Sequence, residues 1–252
     1  MKRLLFFSLI LLAHTFVFSQ GLTGPQIIQS VNDVLNPETA WGKSTLTIET
    51  SSGEKRTFLY ESWSKNHGEK NLIKYLEPSR VKDQSTLMLH YADDIWMYFP
   101  RTNRVRKLAT HAKKQKMEGS DFSYEDFGAG NTFLEDYTTV RLDDKKIEDQ
   151  PCYQLAMTKK PDSDAGYSKL IIFVRQDNFV PVQIDYYDEN DSNRLIKILY
   201  LSDIRTFDGI PTAMKMVMVN QTDQSQTSSE MLDVKFNLPI DDDLFTERGM
   251  KQ

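Results

Sequence analysis

The sequence predicts a mainly β fold with a minor helical part (α+β), built as an antiparallel meander too wide to stay flat. Three observations carry the prediction. Beyond about residue 43, apolar side chains recur at every second position over roughly ten to twelve short segments, the period of strands with one buried face. The breaks between segments carry Asn, Asp, Gly or Pro, as hairpin turns require. Helical spacing is confined to a stretch near the start and to an irregular middle. Wide twisted sheets curl or close, and a curled sheet of this strand number encloses more space than a few side chains fill. Helices of the chain, a ligand, or both would plug that space; a fully packed sandwich or barrel is the alternative.

Taken in order, Lys2 and Arg3 precede an apolar run from Leu4 to Phe18, and Val17-Phe18-Ser19 suits cleavage after Ser19. Residues 1–19 therefore read as a signal peptide and 20–252 as a single mature domain. The run is shorter than the roughly 20 apolar residues of a membrane span. Thr23 fits an N-cap and Pro25 the first turn of a helix whose stripe is Ile27, Ile28, Val31, Val34 and Leu35. Asn36-Pro37 stops it. Leu46 and Ile48 open the strand pattern, and Ser52-Gly53 turns the chain toward Phe58 and Tyr60. Leu87, Leu89 and Tyr91 form the next segment, joined by Ala92-Asp93-Asp94 to Ile95–Phe99. Pro100-Arg101-Thr102-Asn103 turns into Val105–Leu108. After the irregular middle come Tyr153-Leu155-Met157, Leu170-Ile172-Val174, Val182-Ile184-Tyr186, Ile196-Ile198-Tyr200, Met214-Met216-Met218 and Leu232-Val234-Phe236.

Composition narrows the function classes. Removing Lys2 and Arg3 from the 31 basic residues leaves 29 against 36 acidic ones, a net charge near −7. Nucleic acid is not expected as a partner, because phosphate binding of that kind needs a basic surface. Cys152 is the lone cysteine, so it forms no internal disulfide and reads as a small apolar residue buried on a strand.

The irregular middle reads Lys116-Met117-Glu118-Gly119-Ser120-Asp121-Phe122-Ser123-Tyr124-Glu125-Asp126-Phe127. Ser123 and Asp126 have capping-box spacing, and Asp121, Glu125 and Asp126 place negative charge at a helix N-terminus. Phe122 and Phe127 can turn inward. The string Gly119-Ser120-Asp121-Phe122-Ser123-Tyr124-Glu125-Asp126 resembles the core motif of LolA-like outer-membrane lipoprotein-sorting proteins. Trp96-x-Tyr98-x-Pro100, Arg104-x-Arg106, Cys152, Tyr167 before Leu170-Ile171, Tyr186-Tyr187-Asp188 and Leu244-Phe245-Thr246 extend the likeness over nearly all of the mature chain. The stretch Ser79-Arg80-Val81-Lys82-Asp83-Gln84-Ser85 departs from the Lys-Gly step common in that family. The resemblance implies an unclosed, strongly curved antiparallel half-barrel whose concave face is covered by helices, with an apolar space for acyl chains between them. It also implies a periplasmic carrier of lipid or lipoprotein that meets an inner-membrane transporter or an outer-membrane acceptor. A sensor or adaptor that partners a lipid exporter or an envelope-stress regulator is the second expectation, since fold does not choose function.

Candidate ligand-wall residues follow from side-chain chemistry. Met214, Met216 and Met218 share one strand face, and unbranched thioether chains adapt to apolar ligands of variable shape. Phe58, Tyr60, Trp63, Trp96, Tyr98, Phe122, Phe127 and Phe133 supply the aromatic groups common in such sites. Trp96 and Tyr98 share one face of a strand whose other face holds Ile95, Met97 and Phe99, so both faces are covered or one is an exposed patch. A basic strip runs through Arg101, Arg104, Arg106, Lys107, Lys113, Lys114 and Lys116 with no acidic residue from 101 to 117. It is expected to meet anionic headgroups or an acidic partner, with a solvated hairpin as the alternative.

No catalytic constellation stands out. His67, His90 and His111 lack ligand spacing. Gly119-Ser120-Asp121 lacks the upstream glycine of a nucleophile elbow, and Asp241-Asp242-Asp243 lacks the pattern of a calcium loop. Neither an enzyme, a cofactor nor a metal site is expected, and the protein is expected to act as a monomer.

Overall fold

The computed structural model describes residues 21–128 and 130–252; the signal-peptide reading of residues 1–19 lies outside the described residues. The chain begins with α1 (Gly24–Leu35), which Thr23 caps through a reciprocal box with Gln26. Strands β1 (Thr39–Glu49), β2 (Lys55–Lys65), β3 (Lys70–Glu77), β4 (Ser85–Leu89), β5 (Asp94–Phe99) and β6 (Arg104–Lys107) follow as a meander. Two short helices, α2 (Tyr124–Gly128) and α3 (Thr132–Glu135), lead to β7 (Tyr137–Arg141) and β8 (Lys145–Ile147). A second meander comprises β9 (Gln150–Lys159), β10 (Lys169–Arg175), β11 (Pro181–Tyr187), β12 (Leu195–Phe207), β13 (Ile210–Asn220) and β14 (Ser225–Phe236).

Among the described residues all fourteen strands belong to one sheet, in the order β6-β5-β4-β3-β2-β1-β14-β13-β12-β11-β10-β9-β7, with β8 paired to β9. Every pairing is antiparallel. The ends β6 and β7 do not pair, so the curved sheet stays unclosed. This is the mainly β half-barrel expected above. The order also fixes the path of the middle segment: β6 is one edge, β7 is the other, and residues 108–136 must cross between them.

Two apolar cores result. The large one lies on the concave side, where Ile27, Ile28 and Val31 of α1 and Met117, Phe122 and Tyr124 of the crossing segment pack onto Leu46, Phe58, Tyr75, Leu155, Ile172 and Met218. The smaller one lies on the opposite face, where Phe245 and Met250 of the C-terminal segment cover Leu72, Leu87 and Tyr98. Ser85 Oγ donates to the Met250 carbonyl at 2.9 Å and Lys65 Nζ to that of Ile240 at 2.8 Å, which holds the segment down.

Three local differences from the sequence prediction have physical causes. β3 gives no alternating signal because its adjacent Leu72 and Ile73 are both buried, one in each core. Tyr91 belongs to a turn rather than a strand, since His90, Tyr91 and Ala92 all have positive φ. Leu232 is 55% exposed while Val234 is buried, because residue 232 is the extra one in a bulge opposite Lys43 and Ser44.

Candidate functional site

The crossing segment is fixed by polar contacts drawn from its own motif. Ser123 N–H donates to Asp126 Oδ2 at 2.7 Å and Asp126 N–H to Ser123 Oγ at 3.1 Å, a reciprocal capping box at the start of α2. Gly119 takes a φ of 75°, a region that glycine enters without steric cost. The chain then turns Asp121 under the sheet. Its buried carboxylate accepts from Ser225 Oγ (2.6 Å), Thr227 Oγ1 (2.8 Å) and Asn220 Nδ2 (3.1 Å), pinning the segment to β13 and β14. At the other side Tyr167 Oη donates to Asp126 at 2.9 Å, Lys197 Nζ lies 3.4 Å from the same carboxylate, and Gly166 N–H donates to both Glu125 oxygens at 3.0 and 3.1 Å. Burial pushes the Glu125 carboxyl up to about 7, against the pull of the Gly166 bond. Tyr167 and Tyr186 are likewise raised well above the usual phenol range by burial.

Beneath this segment lies a cavity of about 330 Å³. Phe122, Phe127 and Phe133 form its roof, with the Phe122 and Phe127 rings 5.1 Å apart. Ile184, Leu199, Leu201, Met214, Met216 and Met231 form an apolar wall from β11 to β14. The facing wall is small and polar. Gly42 and Ser44 on β1 register with Ser62 and Tyr60 on β2, and Ser44, Ser62, Ser64 and Asn71 reach the cavity. Side chains of this size do not fill the trough, and the hollow lies against them. Its volume is at the lower end of the ~300–1,000 Å³ of small-molecule sites.

Of the predicted wall residues, Tyr60, Phe122, Phe127, Phe133, Met214 and Met216 line the cavity. Phe58 and Met218 point to the same side but are packed into the solid part of the large core, at 1% and 0% exposure. Trp96 and Tyr98 do not face the cavity: they belong to the opposite face, under Phe245 and Met250, and Trp63 packs there with them. Period two groups residues by face without saying which face turns inward. The cavity residues that the prediction omitted include Ser44, Ser62, Ser64 and Asn71 on the polar wall and Ile184, Leu199, Leu201 and Met231 on the apolar one. For the serines the sequence signal is Gly42-x-Ser44 and Ser62-x-Ser64, small residues at period two on two hairpin strands.

The motif is brought together as one crossing segment, and Ser120 is fully buried with its hydroxyl engaged by the Phe122 backbone at 3.2 Å. The basic strip is not one surface. Lys113 is buried and its Nζ meets Asp164 at 2.6 Å and Asp93 at 2.9 Å. Burial works against its charge, yet these bonds raise its pKa. Lys114 pairs with Glu189 and Lys116 with Asp223, each at 2.6 Å. Three of the five proposed contact cations are thus neutralised within the chain. Arg104 and Arg106 remain exposed on the edge strand β6. Among acidic candidates, Asp241 caps a turn through Asp243 N–H and Asp242 pairs with Lys70 at 2.9 Å. Burial raises the Cys152 thiol, which lies within a strand.

This architecture, an unclosed half-barrel roofed by its own crossing segment, is shared with several solved structures. A domain assigned as an outer membrane lipoprotein-sorting protein from Vibrio parahaemolyticus superposes with a TM-score of 0.81 at 23% identity, covering 91% of this chain and 98% of that one. A DUF1329 family protein from Desulfovibrio piger gives 0.81 at 24% identity, with 90% and 97% covered. A LolA superfamily protein from Nitrosomonas europaea gives 0.75 at 20% identity, with 90% and 98% covered. At such identities the shared property is the fold. Residues 67–252 match the model of a family described as "Uncharacterized protein", and the chain belongs to that family. No curated protein matches the chain.

Proposed function

We propose that this protein is a periplasmic carrier that holds lipid, or the acyl chain of a lipoprotein, in the cavity beneath residues 108–136. The observation that carries the reading is the hollow itself, with Phe122, Phe127, Leu199, Leu201, Met214 and Met216 around it. A chain of a dozen methylenes gains on the order of 10 kcal/mol at ~0.8 kcal/mol per buried CH₂, partly offset by the entropy of association. An apolar hollow therefore holds a lipid without any catalytic group. The roof is attached through side-chain bonds of Asp121, Glu125 and Asp126, whereas the walls are joined by strand ladders, so loading by displacement of the roof leaves the sheet intact.

Native mass spectrometry of protein purified from the periplasm tests the proposal. Lipid is expected to leave with the protein, and Met216→Arg, which places a charge in the wall, is expected to abolish its retention while circular dichroism still reports the folded sheet. Wild-type protein that stays empty after incubation with phospholipid would defeat carriage. If that empty protein instead captured the periplasmic domain of a membrane transporter, an adaptor role would replace it.

A further inference from the structure

Most of the cations near the crossing segment have an acidic partner, as Lys113, Lys114 and Lys116 show. Three arginines nearby do not. Arg80, Arg101 and Arg106 line one cleft of about 310 Å³ with Gln84, Phe99 and Pro100, where the β5–β6 turn meets the β3–β4 connection. Among the described residues none of the three guanidinium groups has an ion-pair partner. Glu118, engaged by Gln84 Nε2 at 2.6 Å, feels the charges of Arg80 and Arg56.

Two of the three are also held in place. The Arg80 guanidinium carbon lies 5.4 Å from the Phe58 ring centre, and that of Arg106 5.9 Å from the Phe99 ring centre. Stacking on an aromatic face orients the planar group and leaves its in-plane N–H donors unused. Converging like charges repel each other, and a chain with net charge −5 has acidic residues to spare for neutralising them. They are left unpaired around a concavity instead.

We infer that the cleft of Arg80, Arg101 and Arg106 binds a phosphate group, either of a lipid headgroup or of a free phosphate. Paired forks of guanidinium N–H groups match phosphate oxygens two at a time, and no carboxylate lines the cleft, whose remaining polar side chains are Gln84 and Thr102. The site is separate from the apolar cavity: no residue lines both.

The mature protein is titrated at low salt with inorganic phosphate by calorimetry, and with vesicles of phosphatidylglycerol or of phosphatidylcholine by co-sedimentation. Binding to phosphate without preference between the vesicles identifies a free phosphate as the ligand; preference for phosphatidylglycerol identifies a headgroup. In either case the Arg101→Gln/Arg106→Gln variant should bind roughly tenfold or more weakly, the loss expected for charge-assisted bonds. The Lys145→Gln/Lys146→Gln variant, exposed on β8, should change binding by less than about twofold, as scattered surface charges do. Absence of binding to every probe, or equal losses in the two variants, would overturn the inference.

Discussion

Strand β5 separates two kinds of packing. On its outer side Trp96 and Tyr98 meet Leu72, Leu87, Phe245 and Met250, and the chain's own C-terminal segment completes the core. On its inner side Ile95 joins the large core, which is solid around Phe58 and Tyr75 but hollow beyond Tyr60, where β2 continues as Ser62 and Ser64. The same ladder of strands supports both. What differs is side-chain volume: large groups face large groups outside, while Gly42, Ser44, Ser62 and Ser64 leave the inner trough unfilled. In this sheet a packed face and a receptive face therefore arise from the choice of a few residues, with no change in backbone pattern.

The contrast can be broken most severely from outside. Phe245→Ala should destabilise the protein by roughly 3–5 kcal/mol, as large aromatic truncations in cores do, measured by urea unfolding. Lipid retained per folded molecule should not change; a matching loss of retention would show that the two faces are not independent. A smaller effect is expected at the roof. Folding raises the Glu125 carboxyl from 4.5 to about 7, chiefly through burial. The folded protein holds a proton that the unfolded chain has released, so this contribution to stability is present below about pH 4.5 and is lost as pH rises through 7. Glu125→Gln has no such loss. Its stability relative to wild type should improve by roughly 3 kcal/mol between pH 4.5 and pH 8; a difference that does not vary with pH would remove Glu125 as the group responsible. Smallest in stability is Ser62→Leu, which adds volume to the hollow and should shift unfolding by less than about 1.5 kcal/mol while blocking lipid retention. Undiminished retention would place the bound chain elsewhere.

Much of the fold was legible because one buried face per strand leaves a period-two trace, as at Leu46/Ile48 and Met214/Met216/Met218. β3 was not, since a strand covered on both sides loses its alternation. The short β7 and β8 were not either: Val140 is 55% exposed, and β8 buries nothing. The roof segment was readable from local chemistry, because a capping box needs only residues three apart. Trp96 and Tyr98 were placed on the wrong side because the C-terminal segment that covers them lies about 150 residues further along the chain. The partners of the lysines, Asp93, Asp164, Glu189 and Asp223, are mostly remote in sequence too, so the strip looked unpaired when most of it is not.

The failure of β6 to meet β7 has a mechanical consequence. A closed barrel has its bore fixed by strand number and stagger. Here no ladder spans the gap, so spreading the two rims widens the interior without severing any strand from its neighbour. In the proposed carrier role, cargo bulkier than the resting hollow would be met by a change of curvature, and Arg104, Arg106 and Lys107 along one rim discourage the open margin from pairing with another sheet.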